Sequence, residues 1–343
     1  MTAGAFSPAN EVTALAPHHT RHRRALGFRV ATLFAWALTL APWSSARADE
    51  GGVPFWLSGQ FASFAAVPQE PGWYLPTMFY YYNGDASGSK SFPRGATIST
   101  GLDTRVPLLF LVPTWVPDVK ILGGQPSFSV AFGGGYNETS AEVSRSALGT
   151  RTVNRSDSVW GITDLYPLVS LAWNTEIHNW MVYATGDIPV GSYDSARLAN
   201  LGVGHGAVDG GGGYTYLNTK SGLEICAVAG FTYNLENPDT HYQNGVDFHL
   251  DYAISQFLSE HVHVGVAGYL YYQLTGDRGS GATLGGFESK VAAIGPELGY
   301  FFKVGDRQWY ANVRAYYEFW AEHRVAGFAV FAMLNIPLGG GKR

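Results

Sequence analysis

The sequence predicts an all-β fold, an antiparallel transmembrane β-barrel of about twelve strands (ten to fourteen), and three observations point that way. Apolar and polar residues alternate with a period of two, as in "VDFHLDYAISQF" (246–257), where Val246, Phe248, Leu250, Tyr252 and Ile254 oppose Asp247, His249, Asp251 and Ser255. Successive strand side chains point to opposite faces, so such a stretch has one oily side and one wet side. Charged residues are only 14% of the chain and aromatic residues 15%, whereas a soluble domain carries about a quarter charged residues. Beyond residue 48 no apolar run approaches the ~20 residues of a membrane helix; the longest, "VPLLFLVPTWVP" (106–117), contains three prolines. A chain of this kind crosses a bilayer with strands, its oily face toward lipid and its polar face toward the lumen.

The elements follow in chain order. "RHRRALGFR" (21–29) is cationic, "VATLFAWALTLAPW" (30–43) is apolar but short, and Ala46 and Ala48 stand as an A-x-A site before Asp49. Residues 1–48 are therefore expected to be a secretory signal peptide, removed on export toward a bacterial outer membrane. The whole chain has 22 basic and 27 acidic residues; the leader takes five arginines and one glutamate, leaving 17 basic and 26 acidic, a net −9. An acidic chain with six lysines excludes nucleic acid as a partner, because phosphate contacts need clustered Lys and Arg. The single cysteine, Cys226, excludes an internal disulfide framework.

Residues 49–71, "DEGGVPFWLSGQFASFAAVPQEP", are apolar in patches and bounded by prolines, without a strand's alternation. They are expected to form an N-terminal segment, periplasmic or entering the lumen as a small plug, with a loose tail as the alternative. The barrel then occupies 72–343, opening with "GWYLPTMFYYY" (72–82). "ATISTGLDTRVPLLF" (96–110) predicts Ile98, Leu102, Val106, Leu108 and Phe110 outward, with Asp103 and Arg105 inward. "PSFSVAFGGGYN" (126–137) turns Phe128, Val130, Phe132 and Tyr136 outward. "TDLYPLVSLAW" (163–173) places Asp164, Tyr166 and Ser170 inward, and "NWMVYATGD" (179–187) does the same for Tyr183, Thr185 and Asp187.

The second half repeats the pattern. "DGGGGYTYLN" (209–218) reads as strand glycine beside aromatics, and "GLEICAVAGFTYN" (222–234) places Glu224, Cys226 and Thr232 inward. The stretch 246–257 adds Asp247, His249 and Asp251. "HVHVGVAGYLYYQL" (261–274) contributes His261, His263, Tyr269, Tyr271 and Gln273, "KVAAIGPELGYFF" (290–302) contributes Glu297, and "QWYANVRAYYEFWAE" (308–322) contributes Arg314, Glu318, Trp320 and Glu322. "AGFAVFAMLNIPL" (326–338) is apolar on both faces. The Gly-rich polar connectors, such as "NETSAEVSRSALGTRTVNRSDS" (137–158), read as loops or strand extensions beyond the membrane.

"GVPFWLSGQFASFAAVPQEPGWYLP", "DLYPLVSLAW" and "GDIPVGSYDSARLANLGVGHGAVDGGGGYTYLN" recur in this order, followed by "SGLEICAVAGFTYN". Together they resemble the SphA and MetA-pathway of phenol degradation family of outer-membrane transporters, over nearly the whole mature chain. The block Pro189, Gly191, Tyr193 and Asn200 to Gly202 is the most specific part. The resemblance implies an outer-membrane barrel linked to hydrophobic or aromatic compounds. One departure is the ending "PLGGGKR", where the barrel-assembly machinery, an expected partner, commonly reads a terminal aromatic.

The lumen set Asp103, Arg105, Asp164, Tyr166, Tyr183, Asp187, Glu224, Asp247, His249, Asp251, Tyr269, Tyr271, Glu297, Arg314 and Glu318 would be costly facing lipid and is expected to line a solute path. Within it Arg105 and Arg314 are expected to pair with carboxylates of adjacent strands through forked hydrogen bonds. No catalytic residue, metal or cofactor is expected. His261 and His263 lack a third ligand, and alternate residues of one strand lie ~6.6–7 Å apart, too far for Asp247, His249, Asp251 and Ser255 to build a triad among themselves. The reading is a channel for small hydrophobic or aromatic solutes in outer-membrane lipid. The alternatives are a barrel enzyme of lipase or deacylase type, or a non-conducting structural or adhesion barrel.

Overall fold

The computed structural model describes residues 55–94, 97–145, 151–283, 285–286 and 288–339; the expected signal peptide, 1–48, lies outside them. In chain order the strands are β1 (Gly72–Tyr74), β2 (Thr77–Arg94), β3 (Thr97–Leu111), β4 (Thr114–Val116), β5 (Gln125–Arg145), β6 (Arg151–Ile162), β7 (Tyr166–Thr175) and β8 (His178–Asp187). They continue with β9 (Ala207–Asn218), β10 (Leu223–Asn234), β11 (Val246–Phe257), β12 (Val262–Gln273), β13 (Lys290–Val304), β14 (Arg307–Glu322), β15 (Ala326–Asn335) and β16 (Pro337–Gly339).

The strands close a barrel of twelve, with every pair antiparallel. Leaving out the short β4, β2 to β15 are joined in sequence order, with β3 directly beside β5; β15 returns to β2, and β6 with β7 acts as one strand broken at residues 163–165. Among the described residues closure pairs the wall strands on both sides except along β6, which pairs only with β5. The small strands β1, β4 and β16 pair with one another beside the lower end of β5. At that end most connections are short: 176–177, 219–222, 258–261 and 305–306. At the other end β8–β9, β10–β11 and β12–β13 are joined by 188–206, 235–245 and 274–289.

Alternation governs burial through most of the wall. In β11 Asp247, His249, Asp251, Ala253 and Ser255 are buried toward the lumen while Ile254 is exposed. Outside, exposed Val182, Phe231, Val266, Leu298, Val313 and Phe328 make the apolar belt expected of a barrel in lipid. The glycine run on β9 has a steric cause. A Cβ at Gly211 would stand 2.7 Å from the Tyr183 hydroxyl, and one at Gly230 on β10 would stand 2.8 Å from His249 Cε1.

Two expectations fail here. On β3 the faces are the reverse of the sequence reading: Leu102, Leu108 and Phe110 are buried inward, and Asp103 and Arg105 are exposed outside. The reason is that this wall bounds an apolar interior, so the oily face no longer marks lipid. Asp103 lies opposite Asp85, and Arg105 lies between Asn83 and Glu138, a polar band on the outer surface toward the long-loop end. On β14 Trp320 takes a positive φ of 54°, which breaks the alternation and leaves the ring 54% exposed with the Lys290 ammonium 4.9 Å from its centroid.

Candidate functional site

The interior is occupied on one side by residues 55–69, a run of tight turns with Gln60 N–H bonded to the Leu57 carbonyl and Val67 N–H to the Phe64 carbonyl. Such turns leave backbone amides unpaired, and buried amides need acceptors. The inward carboxylates of the β9–β14 wall supply them. Asp251 accepts from Gly59 N–H at 2.9 Å and from Phe61 N–H at 3.1 Å. Glu297 accepts from the Ser63 hydroxyl at 2.9 Å, and Glu224 from Phe64 N–H at 2.8 Å. The Thr215 hydroxyl accepts from Ala66 N–H. In return Arg314 and Tyr316 donate to the carbonyls of Gln60 and Gly59. Bonds to a charged acceptor are shorter and stronger than neutral ones, so this face of the segment is firmly seated.

Aromatic contacts fix the two ends. Trp56 lies flat on His249, ring centroids 3.6 Å apart and planes 14° from parallel. His249 is held by Asp209 at 2.8 Å, and Asp209 also accepts from the Thr232 hydroxyl. Phe64 sits edge-on to His263, Phe301 and Tyr310. Gly59 fits where no other residue would: its φ is +85°, and a Cβ would meet the rings of Tyr269 and Tyr316 at 2.9 Å.

The other side of the segment faces open space. A cavity of about 450 Å³ runs between Phe55, Leu57 and Phe61 and the inner faces of β3, β5 and β7. Apart from the amides of Gln125 and Asn137 on β5, the strand wall is apolar or carries hydroxyls: Leu108 and Phe110 from β3, Ser127, Ser129 and Ala131 from β5, Leu168 and Ser170 from β7. The lining extends from Pro76 and Gln125 at the short-turn end to Arg197 and Thr240 among the long loops. A second cavity, of about 900 Å³, opens at the short-turn end between the segment, Phe257, Phe301, Tyr310 and Arg314.

Beside the first cavity the wall is irregular. β8 stops at Asp187, so the edge of β6 meets loop 188–206 rather than a strand, with Ser192 N–H on the Ile162 carbonyl. Asp164, in the break between β6 and β7, accepts from the amides of Gly191 and Val203, both at 2.6 Å. Asp157 on β6 accepts from Arg197 and from the amides of Leu198 and Ala199. That carboxylate raises the Arg197 guanidinium above its ordinary pKa. A Cβ on Gly191 would stand 2.8 Å from the Asp164 amide nitrogen, so the block Pro189–Gly202 is shaped to this seat.

The expected lumen residues thus divide. Tyr166 lines the first cavity and Arg314 the second. Glu224, Asp251 and Glu297 hold the segment, His249 stacks on it, and Tyr183 stacks on Trp56. Asp247 accepts from Asn234 at 2.8 Å. Glu318 accepts from the hydroxyls of Tyr82 and Tyr269 and lies 3.6 Å from Arg324, whose guanidinium covers the Tyr271 ring. Asp164 braces the loop, and Asp187 is buried beside it. Asp103 and Arg105 are outside. The expected carboxylate forks are absent at both arginines among the described residues: Arg314 has no ion pair within 4 Å, because amides of the segment hold Asp251 and the Ser63 hydroxyl and Asn312 hold Glu297, and it lies instead over the Phe331 ring at 5.1 Å. Sequence reasoning missed Asp209, Asp157 and the inward leucines of β3. The "NLG" block, whose Leu201 reaches the cavity, was the available signal.

Residues 85–334 match the family described as "Putative MetA-pathway of phenol degradation". The chain belongs to this family. Among solved structures it is similar to an outer membrane channel from Pseudomonas putida F1, with a TM-score of 0.61 at 11% identity, covering 80% of this chain and 98% of that one. A FadL homologue from Pseudomonas aeruginosa aligns with a TM-score of 0.42 at 10% identity, over 86% of this chain and 99% of that one. None of the curated proteins matches the sequence. The family profile runs from the middle of β2 to the end of β15 and so takes in most of the barrel wall.

Proposed function

We propose that this protein is an outer-membrane channel that passes small hydrophobic or aromatic compounds without covalent chemistry. The observation that carries the reading is the cavity between residues 55–69 and the inner face of β3, β5 and β7, apolar along a wall whose opposite side carries the carboxylates. An ion-conducting pore would present its carboxylates to the open space; here Glu224, Asp251 and Glu297 are bound to the segment. The family's phenol-degradation description and the outer-membrane channel from Pseudomonas putida support the same reading. Short turns belong on the periplasmic side of such barrels and long loops outside; on that rule the loops 188–206 and 235–245 face the cell surface.

The test uses the lining. With Cys226→Ala removing the one native thiol, Leu108→Cys places a thiol on the cavity wall and Val313→Cys places one on the lipid side. Uptake of 1-N-phenylnaphthylamine by cells is measured before and after a bulky maleimide. Labelling at Leu108→Cys is expected to reduce uptake several-fold, and labelling at Val313→Cys to leave it unchanged. Equal uptake after labelling at both would remove the passage from this cavity. Inhibitor labelling of a serine would favour the lipase or deacylase alternative instead.

Export through the leader makes a separate expectation. The protein purified from outer membranes begins at Asp49, read by amino-terminal sequencing. An intact leader on the folded, heat-modifiable protein would overturn the signal-peptide assignment.

A further inference from the structure

The connection between β4 and β5, residues 117–124, carries apolar side chains where a turn in water would carry polar ones. It is a hairpin closed by a two-residue turn. The Ile121 amide donates to the Gly124 carbonyl at 2.9 Å, and the Gly124 amide donates to the Ile121 carbonyl at 2.8 Å. Both turn residues have positive φ, 50° at Leu122 and 78° at Gly123. Tight hairpin turns of this kind prefer Asn, Asp or Gly at the first position, because the left-handed region crowds a Cβ against the backbone. Leu122 occupies that position and stands 87% exposed at the tip, with Val119 and Ile121 exposed beside it. This leucine strains the turn, and the rest of the described chain leaves its side chain uncovered.

The placement of the hairpin restricts what covers it. It folds back over the outer side of β7, where the Trp173 indole donates to the Leu122 carbonyl at 3.0 Å. A Cβ on Gly124 would stand 2.8 Å from the Trp173 ring and 3.0 Å from Leu171. Leu171 and Trp173 alternate with Ser170 and Ala172, which line the first cavity, so they belong to the lipid side of the wall. The short strands continue that side. Trp73 of β1, Trp115 of β4 and Phe128 of β5 are exposed and stack in a row, with ring centroids 6.2 and 5.7 Å apart. Farther round, Trp180 and Tyr214 lie 4.5 Å apart near the short-turn end of β8 and β9. A girdle of aromatic rings marks the level at which a barrel leaves the lipid, and the hairpin starts from that girdle.

We propose that hairpin 117–124 is a membrane anchor, its tip of Val119, Ile121 and Leu122 inserted among the phospholipids of the periplasmic leaflet. Continuity with the lipid side of β7 and with the girdle favours lipid as the occupant over a periplasmic protein or a second copy of the chain. Asp118 and Lys120, exposed at the alternate positions, keep their charges among head groups and water while the apolar positions face the acyl chains. The inference stands apart from the solute reading. It bears on the passage at one point: Thr114 and Val116 of β4 line the first cavity, so a strand with the anchor at its end also forms a wall of the short-turn mouth.

The test reads depth at single positions. In the Cys226→Ala background, Val119→Cys, Lys120→Cys and Leu122→Cys are each labelled with a nitrobenzoxadiazole dye and placed in nanodiscs of phosphatidylethanolamine and phosphatidylglycerol. Val313→Cys sets the lipid limit, and Asp306→Cys, at the exposed 305–306 turn, sets the water limit. Heat-modifiability confirms that each variant is folded. Doxyl-labelled lipid is expected to quench the dye at 119 and 122 several-fold more than at 306, and iodide to reach 120 several-fold better than 119. Leu122→Asn, which suits the turn and removes the apolar tip, should move the dye at 119 toward the water limit. Dyes at 119 and 122 that iodide reaches as freely as the one at 306, with no quenching from lipid, would overturn the anchor and leave the patch to a protein partner. Lipid quenching at 119 that Leu122→Asn leaves unchanged would overturn it as well, since the dye rather than the tip would then be seeking the lipid.

Discussion

Asp251→Ala is expected to unseat residues 55–69 and open the lumen while leaving the barrel folded. Asp251 accepts two amides of the segment, those of Gly59 and Phe61, and bonds to a charged group contribute about 1.5–3 kcal/mol each. Losing both removes about 3–6 kcal/mol of seating on that estimate, enough to move the segment from fixed to largely detached. Gly59→Val should reach the same state by a different route, because its side chain would strike Tyr269 and Tyr316 in a backbone conformation that valine avoids. Planar-bilayer conductance should rise several-fold in both variants, and added protease should cleave the chain between residues 55 and 69. The wall itself, closed by the β15–β2 pairing, remains heat-modifiable. A folded Asp251→Ala protein that conducts like its parent would mean that stacking of Trp56 on His249 and packing of Phe64 hold the segment alone.

The position of Asp251 also shows how far the sequence could be read. Its inward orientation, and that of His249, Glu224 and Glu297, follows from alternation alone, since a strand has two faces and a carboxylate in lipid is costly. What the carboxylates bind does not follow. Their partners are the amides of Gly59, Phe61 and Phe64 and the hydroxyl of Ser63, some 160 to 234 positions away in the chain, and a backbone amide has no sequence signature. Pairing with arginine was the natural expectation and is wrong at Arg314 for that reason.

β3 exposes the complementary limit. Alternation says that Leu102, Leu108 and Phe110 share a face, which is correct, but it assigns the face by assuming that oil means lipid. Where a barrel carries an apolar passage, both faces of the wall are oily and the rule loses its sign. Asp103 and Arg105 then misled, because they sit on the outer surface toward the long loops, where water rather than lipid surrounds the wall. The break at 163–165 was hidden for another cause: Thr163, Asp164 and Leu165 read as the opening of the strand that follows, and the docking of Gly191 and Val203 on Asp164 distinguishes them from plain strand.

The face assignment itself has a direct energetic test. Leu250→Arg is expected to destabilise the barrel by about 2–4 kcal/mol, the penalty for a cation on the lipid face near the midplane. Leu250 lies in the middle of β11, half-buried between outward Phe248 and Tyr252 and opposite Ala229 and Leu270 on the neighbouring strands. Gln256→Arg, on the same outward face but one residue from the short-turn end of the strand, should cost no more than about 1 kcal/mol, because the penalty falls toward the interface. On β3 the structure makes the less obvious demand. Leu109, exposed on the outer face at 50%, should behave like Leu250 when changed to arginine, and Arg105→Leu should cost little, whereas the sequence reading required the reverse at Arg105. Unfolding midpoints in urea, measured after reconstitution into bilayers, give all four values. Equal tolerance of arginine at Leu250 and Gln256 would deny that β11 crosses lipid. A severe loss at Arg105→Leu with tolerance at Leu109→Arg would restore the opposite facing of β3 and, with it, remove the apolar wall on which the proposed passage depends.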